Sequence, residues 1–482
     1  MTRTRRSYLL SALLGLCLIR LWVMPMASSF WVDETATAFV VTHGASDPSF
    51  AAAPQVPLSI YYVLPRLSIR LFGASETAYR LPSLLALAIA LLLVARLAAR
   101  LIDPAAAWFA AFACLALKGF DYQAADARPY ALGTAVACAA VWFLVRWLDR
   151  ARWSGAAPFA AMAALLWRVH LLYWPFYGVL ALYTAVRIGR RETAVTWRAA
   201  ALVYGAVGLS LIPVAALALA LRHDAALHVM SALPGVRALL DSLKPGLVIL
   251  SAAAAFLARS GQRKGADRAS AILILAWWLL TPLALFAFSR ITGASVFLER
   301  YLSLALPGAA LAATAAAGLY LPPRLWTYAA LVLGCGVLLV LGRWTVVWPP
   351  HHGSDWRGAA AAIGQSLAPG TPVICPSPFL EARPPVWRPD YPVDSFLYAH
   401  LAAYPVHAKI YPFPYAAVPT PSPQTLHELA SAPRFAIYGQ SPAVDAWRSW
   451  LLTRPEFAGW RARSLGVFGD VSVFVCQPHA AP

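Results

Sequence analysis

The chain has 482 residues, 60% of them hydrophobic and only 12% charged, with a formal net charge of +18 and a mean hydropathy of +0.62. A soluble globular protein carries roughly 25% charged residues, so this composition excludes that class and points to a polytopic membrane protein. Nor does the positive charge indicate nucleic acid: the basic residues fall in short clusters between apolar runs, without a basic tail or an aromatic-interleaved basic patch.

Apolar runs of spanning or near-spanning length lie at about 7–28, 82–101, 104–119, 129–148, 156–169, 171–188, 198–221, 245–259, 269–288, 301–321 and 325–343, which predicts about eleven transmembrane helices. The first follows Arg3, Arg5 and Arg6, and Ala27-Ser28-Ser29 offers small residues suited to signal cleavage. At about 20 residues the run is long enough to span, so an uncleaved first helix is expected. Only Arg168-Val169-His170 separates 156–169 from 171–188, and that pair reads either as two spans or as partly re-entrant segments.

Loop charge orients these runs. With the N-terminus inside, one set of alternate loops carries Arg96 and Arg100, then Arg146, Arg150 and Arg152, then Arg187, Arg190, Arg191 and Arg198, then Arg259, Arg263, Lys264 and Arg268, and finally Arg324. The opposite loops carry Asp33-Glu34, Asp121, Asp126, Arg128, His170, His223-Asp224 and Glu299-Arg300. Basic residues stay on the cytoplasmic side, and eleven spans put the C-terminal part outside. The two signals agree.

The first outer loop, about 29–81, holds Trp31, Asp33, Glu34, Tyr61, Tyr62, Arg66, Arg70, Glu76 and Arg80. Acids beside a bilayer are costly, which makes them functional candidates; the plain alternative is a polar connection between helices. After about residue 344 proline becomes dense and no long apolar run follows. A helix is predicted over 355–367, with Trp356, Ala360, Ile363 and Leu367 on one stripe. Strands are predicted at 372–375 and 435–438, and a hairpin at 465–475 around Gly469-Asp470. The expected division is a transmembrane domain over 1–344 and a small extracytoplasmic α/β domain over 345–482. Cys375 and Cys476 lie in the second part, where an oxidising compartment would allow them to pair; their separation is open at this stage. The other four cysteines sit in apolar runs as small core residues.

Four stretches resemble the GT-C glycosyltransferases of the protein O-mannosyltransferase and aminoarabinose transferase superfamily. They are Phe30-Trp31-Val32-Asp33-Glu34; Gln55-Val56-Pro57-Leu58-Ser59-Ile60-Tyr61-Tyr62 with Leu71–Glu76 and Tyr79–Ser83 behind it; Asp126-Ala127-Arg128-Pro129-Tyr130; and Glu299-Arg300-Tyr301-Leu302 with Pro307. The resemblance covers about residues 1–345, and the rest matches in general character only. It implies a GT-C-like fold and an inverting transfer of a sugar from a polyprenyl-phosphate donor at the outer face. The third stretch departs from the family's pattern: glutamate is common where this chain has Asp126, so the carboxylate is one methylene shorter.

Such a reaction needs a base for the acceptor proton, held reactants and a stabilised leaving phosphate. Asp33 is the expected base, with Glu34 positioning the acceptor or sharing the role and Asp126 as a further catalytic candidate. Arginine suits phosphate because its planar fork binds two oxygens and stays charged. Arg128 and Arg300 are the first candidates, followed by Arg66 and Arg80, although interfacial arginines also hold ordinary lipid head groups. Tyr130, Tyr301, Glu299, His170 and Tyr61 are substrate-contact candidates; Asp126 and Glu299 also read as ion-pair partners of the arginines, and His170 as a structural turn residue. No metal site has convincing ligand spacing and no cofactor is required, the alternative being a divalent cation on Asp33, as some of the wider class use. The expected partners are the bilayer, the lipid-linked sugar and an acceptor that is protein, lipid A, cell-wall glycan or small lipid. The Arg/Ala-rich composition points to a bacterial plasma membrane. The rival reading is a transporter or flippase of a polar or lipid-linked solute, which would place its charges near the midplane of inverted repeats. A non-catalytic receptor is the third.

Overall fold

The computed structural model describes residues 3–221, 232–258, 266–384, 386–416 and 421–479. The basic cluster Arg259, Arg263 and Lys264 and the loop residues His223 and Asp224 lie outside the described residues. The chain divides into two compact units: residues 1–26, 59–64 and 80–349 form the first, and residues 27–58, 65–79 and 350–482 the second.

All eleven apolar runs are helical. Among the described residues, eight helices are long and apolar enough to cross a membrane, and nine if Val236–Leu243 and Pro245–Leu257, bent by 48° at Lys244, count as one broken span. The difference from eleven lies in helix length. The run at 104–119 yields Ala107–Leu115 followed by the separate short helix Lys118–Tyr122, and the run at 156–169 yields Trp153–Val169. At 17 residues, Trp153–Val169 rises only about 26 Å, short of a bilayer core of about 30 Å.

Close approaches between backbones hold the first unit together. Helix Leu306–Gly318 packs on Arg268–Thr292 so tightly that a Cβ on Gly308 would meet the Trp278 amide nitrogen at 2.5 Å. The indoles beside that contact also tie the bundle: Trp277 Nε1 donates to the Leu304 carbonyl and Trp278 Nε1 to the Leu243 carbonyl, both at 2.7 Å. Arg20 is buried in a π-helical turn, Ile19–Val23, of the first span. Its guanidinium donates to the carbonyls of Gly342, Arg343, Val346 and Val347. These carbonyls lie in the segment that follows the end of helix Trp326–Leu341, so the guanidinium fastens that segment to the first span.

The second unit carries a five-stranded sheet of β1 (Pro372–Pro376), β2 (Lys409–Phe413), β3 (Phe435–Gln440), β4 (Trp460–Phe468) and β5 (Val471–Pro478). The strand order is β2-β1-β3-β5-β4. β1 pairs in parallel with β2 and β3, whereas β5 pairs antiparallel with β3 and β4. Ile374, Phe413, Ile437, Trp447 and Leu451 form the centre of its core, each such side chain contributing roughly 1.5–3 kcal/mol by leaving water. Helix Trp356–Ser366 starts where Asp355 Oδ1 accepts the Gly358 amide at 2.9 Å. Both cysteines of this unit are free. Cys375 Sγ lies 3.1 Å from His400 Nε2 instead of meeting Cys476.

Candidate functional site

In the first unit several of the candidates, among them Tyr130, Arg300 and Tyr301, meet around His170. This residue follows helix Trp153–Val169 and caps the short turn Leu171–Tyr173, where its Nδ1 accepts the Leu172 amide at 3.2 Å. With Nδ1 an acceptor, the proton of the neutral ring sits on Nε2. Three tyrosines surround the imidazole: Tyr173 and Tyr301 at 5.1 Å between ring centroids and Tyr130 at 5.5 Å. Tyr130 and Tyr301 are themselves 6.2 Å apart, and the Arg300 guanidinium lies over the Tyr301 ring at 5.4 Å. Burial, joined by the positive charges of Arg128 and Arg300, pushes the His170 imidazole down to about 3. A neutral donor and two guanidinium groups thus share one neighbourhood, an arrangement that favours an anion.

The chain reaches this cluster through short, restrained connections. Arg128 follows Asp126, whose carbonyl accepts the Arg128 amide at 2.7 Å, and it precedes helix Tyr130–Arg150. Ser83 Oγ lies 3.5 Å from the Arg128 carbonyl and 3.0 Å from the Tyr61 hydroxyl, which makes Tyr61 a buried support of that connection. Asp126 is buried as well. Arg80 is fully buried and donates to the Met26 carbonyl at 2.9 Å and the Pro25 carbonyl at 3.4 Å. Glu299 is exposed and accepts from Lys244 Nζ at 2.9 Å.

Sequence reasoning missed Lys244 and read two other residues only in part: Tyr173 as an aromatic suited to sugar stacking or to an interfacial belt, and Asp121 as an outer-loop acid. Tyr173 packs its ring into the space a side chain at Gly133 would fill, and its hydroxyl lies 3.4 Å from Ser303 Oγ. Lys244 stands in the left-handed conformation at the break between two helices; the Lys-Pro-Gly run was a usable sign of that break. Asp121 was placed in an outer loop, but it is buried with Oδ1 accepting from Trp22 Nε1 at 2.7 Å, and burial holds its carboxyl well above the usual range.

The second unit holds the remaining candidates. Trp31 is the cap of helix Val32–His43, whose first turn contains Asp33 and Glu34. Two carboxylates suit the positive end of a helix dipole. Glu34 is fully buried and its Oε2 accepts the Trp31 amide at 3.2 Å, the reach-back of a capping box. Asp33 is half-buried. Arg66 is half-buried too, with Nη2 donating to the Val40 carbonyl at 3.4 Å.

Residues 55–217 match the family model described as dolichyl-phosphate-mannose-protein mannosyltransferase. The whole chain is similar in structure to ArnT from Cupriavidus metallidurans in the apo state, with a TM-score of 0.58 at 13% identity over 97% of this chain and 98% of that one. The same protein bound to undecaprenyl phosphate gives a TM-score of 0.58 at 14% identity over 98% of each chain. The chain shares the fold of ArnT. No curated protein matches it in sequence. Two of the four resembling stretches, those with Tyr61 and with Asp126-Ala127-Arg128, lie inside the matched segment. The expected architecture, a polytopic helical membrane protein with a small α/β unit, holds with the fold.

Proposed function

We propose that the chain is an inverting glycosyltransferase that moves a sugar from a polyprenyl-phosphate donor to an acceptor at the outer face of a bacterial plasma membrane. The observation that carries this reading is the packing of Tyr130 and Tyr301 around the buried His170 ring with the Arg300 guanidinium over Tyr301, within a fold shared with ArnT. One of the solved ArnT structures is bound to undecaprenyl phosphate. In the proposed orientation the N-terminus is cytoplasmic and the second unit faces outward.

The acceptor oxygen attacks the anomeric carbon as the bond to the phosphate oxygen breaks, so configuration inverts in one displacement. Asp33 takes the acceptor proton. The donor is a phosphodiester with one negative charge; the leaving polyprenyl phosphate gains a second. Arg128 and Arg300 offset that added charge, worth most where water is excluded. His170 Nε2–H supplies a neutral donor, and the tyrosines Tyr130 and Tyr301 line the same place. Glu34 holds the start of its helix, while Arg80 and Tyr61 brace backbone. The reaction as written requires no metal.

The test is a transfer assay with purified protein in lipid, a panel of radiolabelled polyprenyl-phosphate sugars and membrane extract as acceptor. Wild type and Asp33→Asn are run side by side, with and without EDTA. Transfer by wild type, lost by about 100-fold or more in a folded Asp33→Asn, supports the reading. Transfer surviving in the variant moves the base to Glu34 or Asp126, and loss with EDTA puts a cation on Asp33. If no donor is used, lipid-linked solute transport becomes the reading to test.

A further inference from the structure

Within the second unit, residues 27–31 lead into the helix that carries Asp33, and they are held at both ends by one carboxylate. The Phe30 amide donates to the Tyr404 hydroxyl oxygen at 2.8 Å, and that hydroxyl donates to Glu76 Oε1 at 2.9 Å. Arg357 Nη1 donates to the same Glu76 oxygen at 3.0 Å, while its Nη2 donates to the Ala27 carbonyl at 3.0 Å. Two more bonds grip the residues between: the Arg357 amide to Ser29 Oγ at 3.3 Å and the His351 amide to Ser28 Oγ at 3.0 Å. The Phe30 ring stands edge-on to Tyr79 at 5.4 Å, and the Trp31 indole stacks on His352 at 5.1 Å.

The Arg357 side chain is 52% exposed and that of Glu76 15%, so the ion pair by itself contributes little to stability. Its value is geometric. A charged acceptor that takes a hydroxyl and a guanidinium together fixes both donors, and those donors fix a carbonyl and an amide three residues apart. The direction in which a helix leaves its cap follows from the chain that precedes it. Where Phe30 is pinned, the first turn is pinned.

We propose that Tyr404, held by Glu76 and Arg357, is a positioning residue for Asp33, and that it acts by fixing the Phe30 amide at the approach to helix Val32–His43. The proposal rests on the assignment of Asp33 as the base. A reacting group displaced by about 1 Å loses about 100-fold in rate, so a clamp three residues before Asp33 bears on turnover and not on donor affinity. None of the clamp side chains touches the reacting atoms in this scheme.

Tyr404→Phe keeps the ring and removes the hydroxyl; Glu76→Gln keeps an acceptor oxygen and removes the charge. Three quantities are measured on the full-length protein: amide hydrogen exchange over residues 28–36, the thermal midpoint, and kcat and KM with a labelled polyprenyl-phosphate sugar. In Tyr404→Phe the exchange speeds up, kcat falls about 10- to 100-fold and the donor KM stays put. Glu76→Gln recovers most of the rate, and Tyr404→Phe adds no further loss to Asp33→Asn. Unchanged exchange in Tyr404→Phe overturns the proposal, as does a loss confined to the amount of folded protein with normal kcat per folded molecule. A wild type inert toward every donor overturns the functional reading instead, and the exchange result then still decides whether the hydroxyl fixes the approach to Asp33.

Discussion

His170 and Tyr301 stand with ring centroids 5.1 Å apart at an interplanar angle of 42°, an imidazole kept neutral against a phenol whose ring lies under the Arg300 guanidinium. The lowered basicity has a sign that can be checked. Folding pushes the imidazole from 6.5 down to about 3, so its stabilising contribution is full above the unfolded value and declines as pH falls from 6.5 toward 3. In that window the unfolded chain takes up a proton that the folded one refuses. The thermal midpoint of wild type is therefore expected to drop more between about pH 7 and pH 4.5 than that of His170→Asn. Melting curves of both proteins in one detergent test this; parallel curves refute it.

Arg128 and Arg300 are assigned to the donor phosphate through their planar forks. Arg128→Lys and Arg300→Lys each keep the charge but lose bidentate geometry, and each is expected to lower kcat/KM for the donor about 10-fold. Replacement by Gln is expected to cost about 100-fold. Initial rates against donor concentration distinguish these outcomes, and full activity in both Gln variants would remove the arginines from the site.

Gly133 is where helix Tyr130–Arg150 admits the Tyr173 ring. A Cβ there would lie 2.2 Å from Tyr173 Cε2, so Gly133→Ala must displace the ring and, through it, His170. Overpacking of this kind costs roughly 1–3 kcal/mol. The expected result is a lower thermal midpoint together with a raised donor KM. A change in the midpoint alone would show that Tyr173 fills space without shaping the cluster.

Arg20→Met removes a guanidinium that serves four carbonyls after the last span. Each lost bond is worth about 0.5–1.5 kcal/mol, and the variant should unfold at clearly lower temperature in detergent. Transfer per folded molecule is expected to persist, because among the described residues the Arg20 side chain donates to backbone carbonyls and to the Met24 sulfur.

The apolar runs were legible because a bilayer imposes length and composition together, and all eleven proved helical. Several fell short of a full span since hydropathy does not mark where Leu115 or Val169 ends a helix. In the second unit, helix Trp356–Ser366, β1, β3 and the β4–β5 hairpin lie where periodicity and turn residues placed them. β2 was missed because Lys409-Ile410-Tyr411-Pro412-Phe413 carries a proline, tolerated at a sheet edge, and β2 is an edge strand. Of the candidate cluster, Arg128, Tyr130, His170, Arg300 and Tyr301 were readable as charged and aromatic residues beside helix ends. The meeting of Tyr173 with Ser303 was not: it depends on a glycine at 133 and on packing 130 residues apart in the chain. Tyr404 and Glu76 are joined across 328 residues, a link that no local pattern encodes.

The second unit draws on residues 27–58 and 65–79 as well as on 350–482. During synthesis the early stretch emerges long before its later companions. Roughly 270 residues separate Tyr79 from Pro350, which at about 5–20 residues per second means a wait of roughly 15–55 s. Throughout that interval Phe30, Phe39 and Phe50 lack the Tyr404 and Phe396 rings they face in the finished protein. A ribosome stalled before residue 350 would therefore leave a nascent chain with this apolar stretch uncovered, a natural mark for quality-control proteases. A C-terminal fragment made alone would be equally incomplete.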